Sequence, residues 1–434
     1  MRRDLERYFA GLAAEYEGEV AADGGPGGPD EDEDENNGEV RARIRLRRAD
    51  TVPPLFAYQR ELVEAVEDLC RAPRGRNVGL LTLPTGAGKT RTAAVALMRI
   101  LTNGDAGLAM WLAPTRELLE QAIATLESVW RLDRGAADLE LVRADMLAKF
   151  PSDVGRGVVL ATPQMMVSRL RRGKMPNVDV VVFDEAHHVE APVFRRALEE
   201  IRGEQSAAII GLSATPGRTN ERETERLVSF FGGRLLRSSR LGRDPISALQ
   251  SRGVLARVAF KDVPLTDDGR RPVNSREGGG AVSEMNRFRA VVRLAGGLGR
   301  RSRVLVFAES VDHARLLAAA LRCQRARAVA VSSRDREATR RNRLRAFERG
   351  ELSVLVNRRL LATGYDCPAV RHVVLATRIG SPILFEQIVG RASRGPLVGG
   401  HARSTVWQFE DHLATHGLPQ SYYRYSDYDW DDIS

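Results

Sequence analysis

Five apolar runs, VGLLTL, GLAMWLA, GVVLAT, VDVVVF and AAIIGLSA, succeed one another between residues 78 and 214. None alternates polar with apolar residues, so each suits a strand buried on both faces, as in a parallel sheet. Stretches of helical period lie between them, TRELLEQAIATLESVW being the clearest. Strand and helix in alternation make a βαβ series. The series weakens across roughly 217–300, where DDGRRPVNSREGGG reads as a loop. It resumes with RVLVFA, ARAVAVS, LSVLVN, VRHVVLA and STVWQF. The fold class expected is α/β, with two parallel-sheet units in tandem.

The 434 residues leave room for two such domains with short extensions. We expect a first unit over 53–240, a connection over 241–300 and a second unit over 301–434 that ends in an acidic tail. Before them, residues 1–21 read as an amphipathic helix. AADGGPGGPDEDEDENNGE then reads as an acidic, disordered linker with no apolar anchor. VRARIRLRR, which closes the 1–52 extension, alternates like a half-exposed strand. A solvated edge strand is its simpler reading, and a basic arm on nucleic acid the functional one.

No run approaches the ~18 apolar residues of a membrane helix, so no membrane partner is expected. The opening MRRDLERYFAGLAAEYEGEV mixes acids with bases and does not read as a secretion signal. Cys70, Cys323 and Cys367 lack metal-ligand spacing, which suits idle thiols and a cytoplasmic location. A net charge of +9 suits a polyanionic partner. Only Lys89, Lys149, Lys174 and Lys261 are lysines; the other 62 of the 66 basic residues are arginine. A lysine in such a chain stands out.

Lys89 lies in VGLLTLPTGAGKT, a strand, a Gly-rich turn and then the helical TRTAAVALMRI. That setting turns Thr85, Gly86, Ala87, Gly88, Lys89 and Thr90 into a candidate phosphate cradle. Backbone N–H groups and the helix N-terminus face the phosphates, a compact ammonium pairs the β/γ oxygens, and the Thr90 hydroxyl goes to Mg²⁺. Leu83 replaces the glycine of the full pattern, so the reading rests on TGAGKT and its context. The second constellation is VVVFDEAHHVE. Its adjacent acids and imidazoles suit zinc, acid/base work or another ion. Zinc needs further ligands at workable spacing, and none is offered. An acid pair closing a buried strand downstream of a phosphate-binding lysine fits instead a Mg²⁺ site, with Asp184 on the ion and Glu185 polarising water.

These motifs together resemble the superfamily 2 DEAD/DEAH-box helicases, in the DNA-directed branch of restriction-type and excision-repair enzymes. FAYQRELVEAV, APTRELLEQ, ATPQ, SATP, VLVFAES, VLVNRRLLATGYDCP and FEQIVGRASRGP follow in the family's order across roughly 53–410. The resemblance implies two RecA-like lobes, ATP and Mg²⁺, and a nucleic-acid-stimulated ATP hydrolase that moves along its track. It places Gln59 on the adenine, Gly364 and Asp366 on the nucleotide, and Arg391 and Arg394 as arginine fingers. His187 and Gln387 would bridge the lobes, and Ser213 and Thr215 would couple hydrolysis to movement. Spacing alone puts Gln387, Arg391 and Arg394 on one helix face. Thr115, Arg116, Thr162 and Thr363 are the candidates for a backbone-gripping track; ordinary helix caps are the plain alternative.

Two departures favour DNA over RNA. The segment around Gln59 lacks the longer form of the RNA enzymes, and FEQIVGRASRGP lacks their leading His-Arg. An inactive scaffold is disfavoured by the intact Lys89, Asp184, Glu185, Arg391 and Arg394. A fused nuclease is disfavoured because no lysine has a glutamate two residues before it. A separate nuclease or a defence or repair subunit remains a possible protein partner.

Overall fold

The computed structural model describes residues 43–45, 54–73, 75–130, 139–147, 154–170, 177–188, 194–198, 207–217, 221–264, 280–362, 364–409 and 431–433. The expected helix over 1–21, the acidic linker and Thr363 lie outside them.

Lobe one carries β1 (Arg43–Arg45), α1 (Ala57–Arg71), β2 (Val78–Thr82), α2 (Lys89–Asn103), β3 (Leu108–Leu112), α3 (Arg116–Trp130) and β4 (Glu140–Arg143). It continues with β5 (Gly157–Ala161), α4 (Pro163–Leu170), β6 (Val180–Asp184), β7 (Ala208–Ser213), α5 (Glu221–Phe230) and β8 (Arg234–Leu236). After α6 (Pro245–Ser251), lobe two runs through β9 (Arg257–Asp262), α7 (Gly280–Gly299), β10 (Arg303–Phe307), α8 (Val311–Cys323) and β11 (Ala328–Val331). It ends with α9 (Glu337–Arg349), β12 (Val354–Asn357), β13 (Val370–Leu375), α10 (Pro382–Val389) and β14 (Arg403–Gln408); β15 (Asp431–Ile433) follows.

The first sheet has the order β1-β4-β5-β3-β6-β7-β2-β8-β15, the second β11-β12-β10-β13-β14-β9. Described pairings are parallel except β1 on β4, where Arg43 faces Val142 and Arg45 faces Glu140. The apolar runs predicted as strands are the central strands. Their reason is visible in lobe one: Leu81 and Trp111 enter the core under α1, α2 and α3, while their neighbours Leu80 and Met110 enter the core on the opposite face. Lobe two repeats this, with Val306 on one face and Leu305 on the other. A strand covered on both sides has no position left for a polar side chain.

The expected boundaries need correction at two places. Residues 241–300 are not only a connection, because β9 pairs with β14 from Arg257–Arg403 to Asp262–Gln408 and closes the second sheet. Helix α7 joins that lobe too, burying Ala290, Val291 and Ala295 with Val304 and Val306. Residues 431–433, assigned above to the second unit, pair with β8 at the edge of the first sheet. Both strands lie at sheet edges. β9 has no fully buried position, so it lacks the continuous apolar run that marks the central strands.

Candidate nucleotide site between the lobes

The turn after β2 is built for close approach. Gly86 and Gly88 stand at φ 93° and 89°, a region that glycine enters without the Cβ penalty. Gly88 is the N-cap of α2, which begins at Lys89. The unsatisfied N–H groups of that first turn and the helix dipole favour an anion there. A Cβ at either position would also have to displace the end of a flexible side chain. A Cβ on Gly88 would lie 2.5 Å from Gln59 Nε2, and one on Gly86 would lie 2.3 Å from Arg394 Nη1.

β6 ends at Asp184, which is buried, and Glu185 turns into the left-handed region at φ 50° while donating its N–H to Asp184 Oδ1 at 2.9 Å. Burial, then the neighbouring Glu185 charge, raises Asp184 well above the ordinary carboxylate range; Lys89 opposes this. Burial holds the Lys89 ammonium below the usual lysine range, against the pull of Glu185 and Asp184. His187 Nδ1 lies 3.3 Å from Glu185 Oε2 and 3.5 Å from Ser213 Oγ. Ser213 Oγ donates to Thr215 O at 2.7 Å and accepts from Thr215 N–H at 3.1 Å. The acid pair and the SATP turn are thus joined through His187.

Helix α1 supplies the opposite wall. Tyr58 OH donates to Ala87 O at 2.9 Å and Gln59 Nε2 to the same oxygen at 3.4 Å, while Gln59 Oε1 accepts from Phe56 N–H at 3.0 Å. The Phe56 and Tyr58 rings stack at 5.7 Å.

Lobe two closes over this cradle. Ser393 Oγ donates to Thr85 O at 3.3 Å, and a Cβ on Gly390 would meet Thr85 Cγ2. Arg394 Nε donates to Asp366 Oδ1 at 2.8 Å, and its Nη1 is buried with no hydrogen-bond partner among the described residues. Arg391 donates to the carbonyls of Tyr365 and Gln387. Burial, then Arg394, pushes its guanidinium down to about 10. Gly364, at φ 67°, packs against Glu117 and Leu118 of α3.

Between the lobes lies a cavity of about 290 Å³. The predicted Gln59, Thr85–Thr90, Asp184, Glu185, Gly364, Asp366, Arg391 and Arg394 all line it. Gln387, His187, Ser213 and Thr215 stand behind this lining. Thr115 Oγ1 accepts from Leu118 N–H and Thr162 Oγ1 from Met165 N–H, each at 3.3 Å, so both cap helices as the plain alternative supposed. Arg116 is exposed at the start of α3.

One local reading is corrected. Gln387, Arg391 and Arg394 do not share a helix face. α10 ends at Val389, Arg391 sits in a 3-10 turn, and Arg394 forms an antiparallel bridge with Leu255. The lining also includes Tyr58, Gln121, Thr125 and Ser128, which motif reading passed over. The last three recur at helical spacing along α3, a polar stripe that the period alone could have revealed.

A polyphosphate fits this site. Lys89, Arg391 and Arg394 are cations held in a closed cleft. The burial that depresses Lys89 and Arg391 is a cost that bound anionic oxygens would relieve. Thr90 and Asp184 offer the hard oxygens that Mg²⁺ takes.

Residues 53–218 match the family described as type III restriction enzyme, res subunit, and residues 286–395 match the helicase conserved C-terminal domain. IRC3 of Saccharomyces cerevisiae, which its name places among ATP-dependent helicases, is 24% identical over 81% of this chain and 51% of its own length. Rad25 of Haloarcula marismortui, named for DNA 3'-5' helicases, is 27% identical over 88% of this chain and 54% of its own. The chain therefore spans about half the length of these relatives. The structure of Saccharomyces cerevisiae Dbp5 bound to RNA and ADP BeF3 superposes with a TM-score of 0.60 at 17% identity. It covers 86% of this chain and 88% of that one, which establishes the tandem RecA-like fold. The chain belongs to the superfamily 2 helicases, in the part of that family related to restriction-type and repair enzymes.

Proposed function

We propose that this chain is an ATP-dependent DNA translocase or helicase that hydrolyses Mg-ATP in the cleft between its lobes. The observation that carries this reading is the cleft itself, where TGAGKT and the acid pair of lobe one face Arg391, Arg394 and Asp366 of lobe two. Mg²⁺, when bound, neutralises charge on the phosphate oxygens, and Thr90 and Asp184 are the residues that would hold it.

The protein's own groups do the rest. Backbone N–H groups of the cradle and the Lys89 ammonium hold the phosphates. Gln59, fixed by Phe56 N–H and Ala87 O, presents its amide to the adenine. Glu185 accepts a hydrogen bond from the attacking water and orients it. Arg391, held by two backbone carbonyls, and Arg394 bring positive charge to the transferring phosphoryl group from the second lobe. Such arginines contribute ~10³–10⁵ in rate elsewhere. Because the donors come from two lobes, the site is complete only when the lobes are closed. His187, between Glu185 and Ser213, and Gln387, behind Arg391, carry the closed geometry to the SATP turn and to α10. Thr115, Arg116, Thr162 and Thr363 form the track that grips a nucleic-acid backbone.

The sequence departures around Gln59 and in FEQIVGRASRGP support DNA as the track, as does the name of Rad25. Separate nuclease, defence or repair subunits are the protein partners we propose, consistent with the restriction-subunit family matched over 53–218. Among the described residues no helix is long and apolar enough to cross a membrane.

The test is steady-state ATP hydrolysis without nucleic acid and with single-stranded DNA, duplex DNA or RNA, using Lys89→Ala and Glu185→Gln as controls. DNA should stimulate turnover, and both variants should abolish it. Equal stimulation by RNA would overturn the DNA assignment. No turnover on any nucleic acid would overturn the motor reading.

A further inference from the structure

Helix α1 touches two things at once. Tyr58 and Gln59 reach the cradle through Ala87 O. Glu61, two residues on and therefore ~200° around the helix, points elsewhere and does not line the cleft. Its Oε1 accepts from Ser239 N–H at 2.8 Å and from Ser239 Oγ at 2.5 Å, and its Oε2 accepts from Ser238 Oγ at 2.5 Å. Arg240 Nε stands 3.6 Å from the same carboxylate. One side chain thus fastens the whole turn that follows β8, where the chain leaves lobe one.

From that turn a short path leads to the arginines of lobe two. Arg252 Nη2 donates to Arg240 O at 2.7 Å, tying the end of α6 back to the fastened turn. Leu241, Leu249, Val254 and Leu255 bury themselves in the core of lobe one. The next residues cross to lobe two: Ala256 N–H donates to Ser393 O and Gly395 N–H to Val254 O, each at 2.9 Å, and Leu255 bridges Arg394. Arg394 then stands over Gly86. The loop that starts at the cradle and α1 closes on the cradle again, behind the cleft rather than through it.

We infer that Glu61 is a positioning residue for the hydrolytic site: it fastens the inter-lobe connection to the helix that carries Gln59, and so sets where Arg394 stands over the phosphate cradle. The inference rests on the hydrolytic reading above. Apolar packing alone lets the connection slide along lobe one, because dispersion and burial are non-directional. A carboxylate with hydrogen bonds on both oxygens fixes one register. Glu61 falls within FAYQRELVEAV, but nothing in that segment points to this role, since its partners are set by the path of the connection.

The experiment compares wild type, Glu61→Ala, Glu61→Gln and Lys89→Ala in DNA-stimulated ATP hydrolysis. Alongside it, the distance between a spin label on lobe one and another on lobe two is measured without nucleotide. Glu61→Ala should lower kcat on the order of tenfold with the KM for ATP unchanged. It should also broaden the inter-lobe distance distribution. Glu61→Gln, which keeps one acceptor oxygen and gains an amide that the serine hydroxyls can accept, should recover part of both. A wild-type kcat and an unbroadened distribution in Glu61→Ala would overturn the inference. So would a raised KM with kcat intact, which would place Glu61 in base binding instead. Wild-type protein without turnover would sink the hydrolytic reading, and the distance measurement would still decide whether Glu61 fixes the lobes.

Discussion

The two walls of the cleft are built by different means. On lobe one, Thr85 to Thr90 are consecutive, and a strand, a glycine turn and a helix start suffice to aim them; Gln59 joins from α1 and the acid pair from the end of β6. On lobe two, Gly364 and Asp366 follow β12, whereas Arg391 and Arg394 follow helix α10, and Arg394 takes its direction from Asp366 and from Leu255 on the connection. The contiguous stretch is shaped by local backbone geometry. A dispersed wall depends on how the lobes dock, so it is suited to respond to docking.

The largest expected effect separates the walls directly. Lys89→Ala should abolish nucleotide binding and turnover together, whereas Arg391→Ala should lower kcat by about 10³-fold or more while leaving nucleotide affinity near wild type. Equilibrium binding of a fluorescent ATP analogue, set beside single-turnover rates, checks this. If Arg391→Ala weakens binding as much as Lys89→Ala does, the two walls do not divide the work as described.

Gly390→Ala sharpens the comparison at the docking surface. Its new methyl would press on Thr85 of the other lobe, and displacement of the arginines by even ~1 Å should cost roughly 10²-fold in kcat. Nucleotide binding by the isolated cradle geometry should persist. Gly297 is the matched control, since a Cβ there meets nothing within 4 Å in the last turn of α7. Gly297→Ala should raise stability by up to ~1 kcal/mol in a denaturant titration and leave turnover alone.

The smallest effect concerns lobe two's stability. Burial, then Arg371, His401 and Lys261, pushes His372 down to about 4. Its folded value is below the unfolded ~6.5, so the unfolded chain binds a proton that the native imidazole refuses. Stability should therefore be fully present above pH ~6.5 and decline as the pH falls toward 4. His372→Gln should flatten the decline in urea midpoints across that window. An unchanged slope would mean that the imidazole is solvated enough to titrate normally.

How much could be read in advance follows the same division. Central strands were legible because burial on both faces removes every polar position. Edge strands β9 and β15 were not: β9 carries the exposed Lys261 and Asp262, and β15 is only three residues long. The helix-face reading of Gln387, Arg391 and Arg394 failed because period presumes that a helix continues, and α10 stops at Val389. Thr115 and Thr162 show the converse: residues that the motifs assign to a track also serve as caps, and the letters cannot divide those roles.

The amino-acid sequence by itself determined two parallel α/β lobes, the glycine turn that leads into a helix at Lys89, and the acid pair Asp184 and Glu185 at the end of a buried strand. Each follows from short-range rules, namely periodicity, glycine's access to positive φ and the helix N-terminus. Only the tertiary structure decided that the second sheet begins at β9, that residues 431–433 return to lobe one, and that Glu61 fastens the connection leading to Arg394. These are contacts between segments far apart in the chain. Their energies depend on which surfaces meet, and no local pattern encodes that meeting.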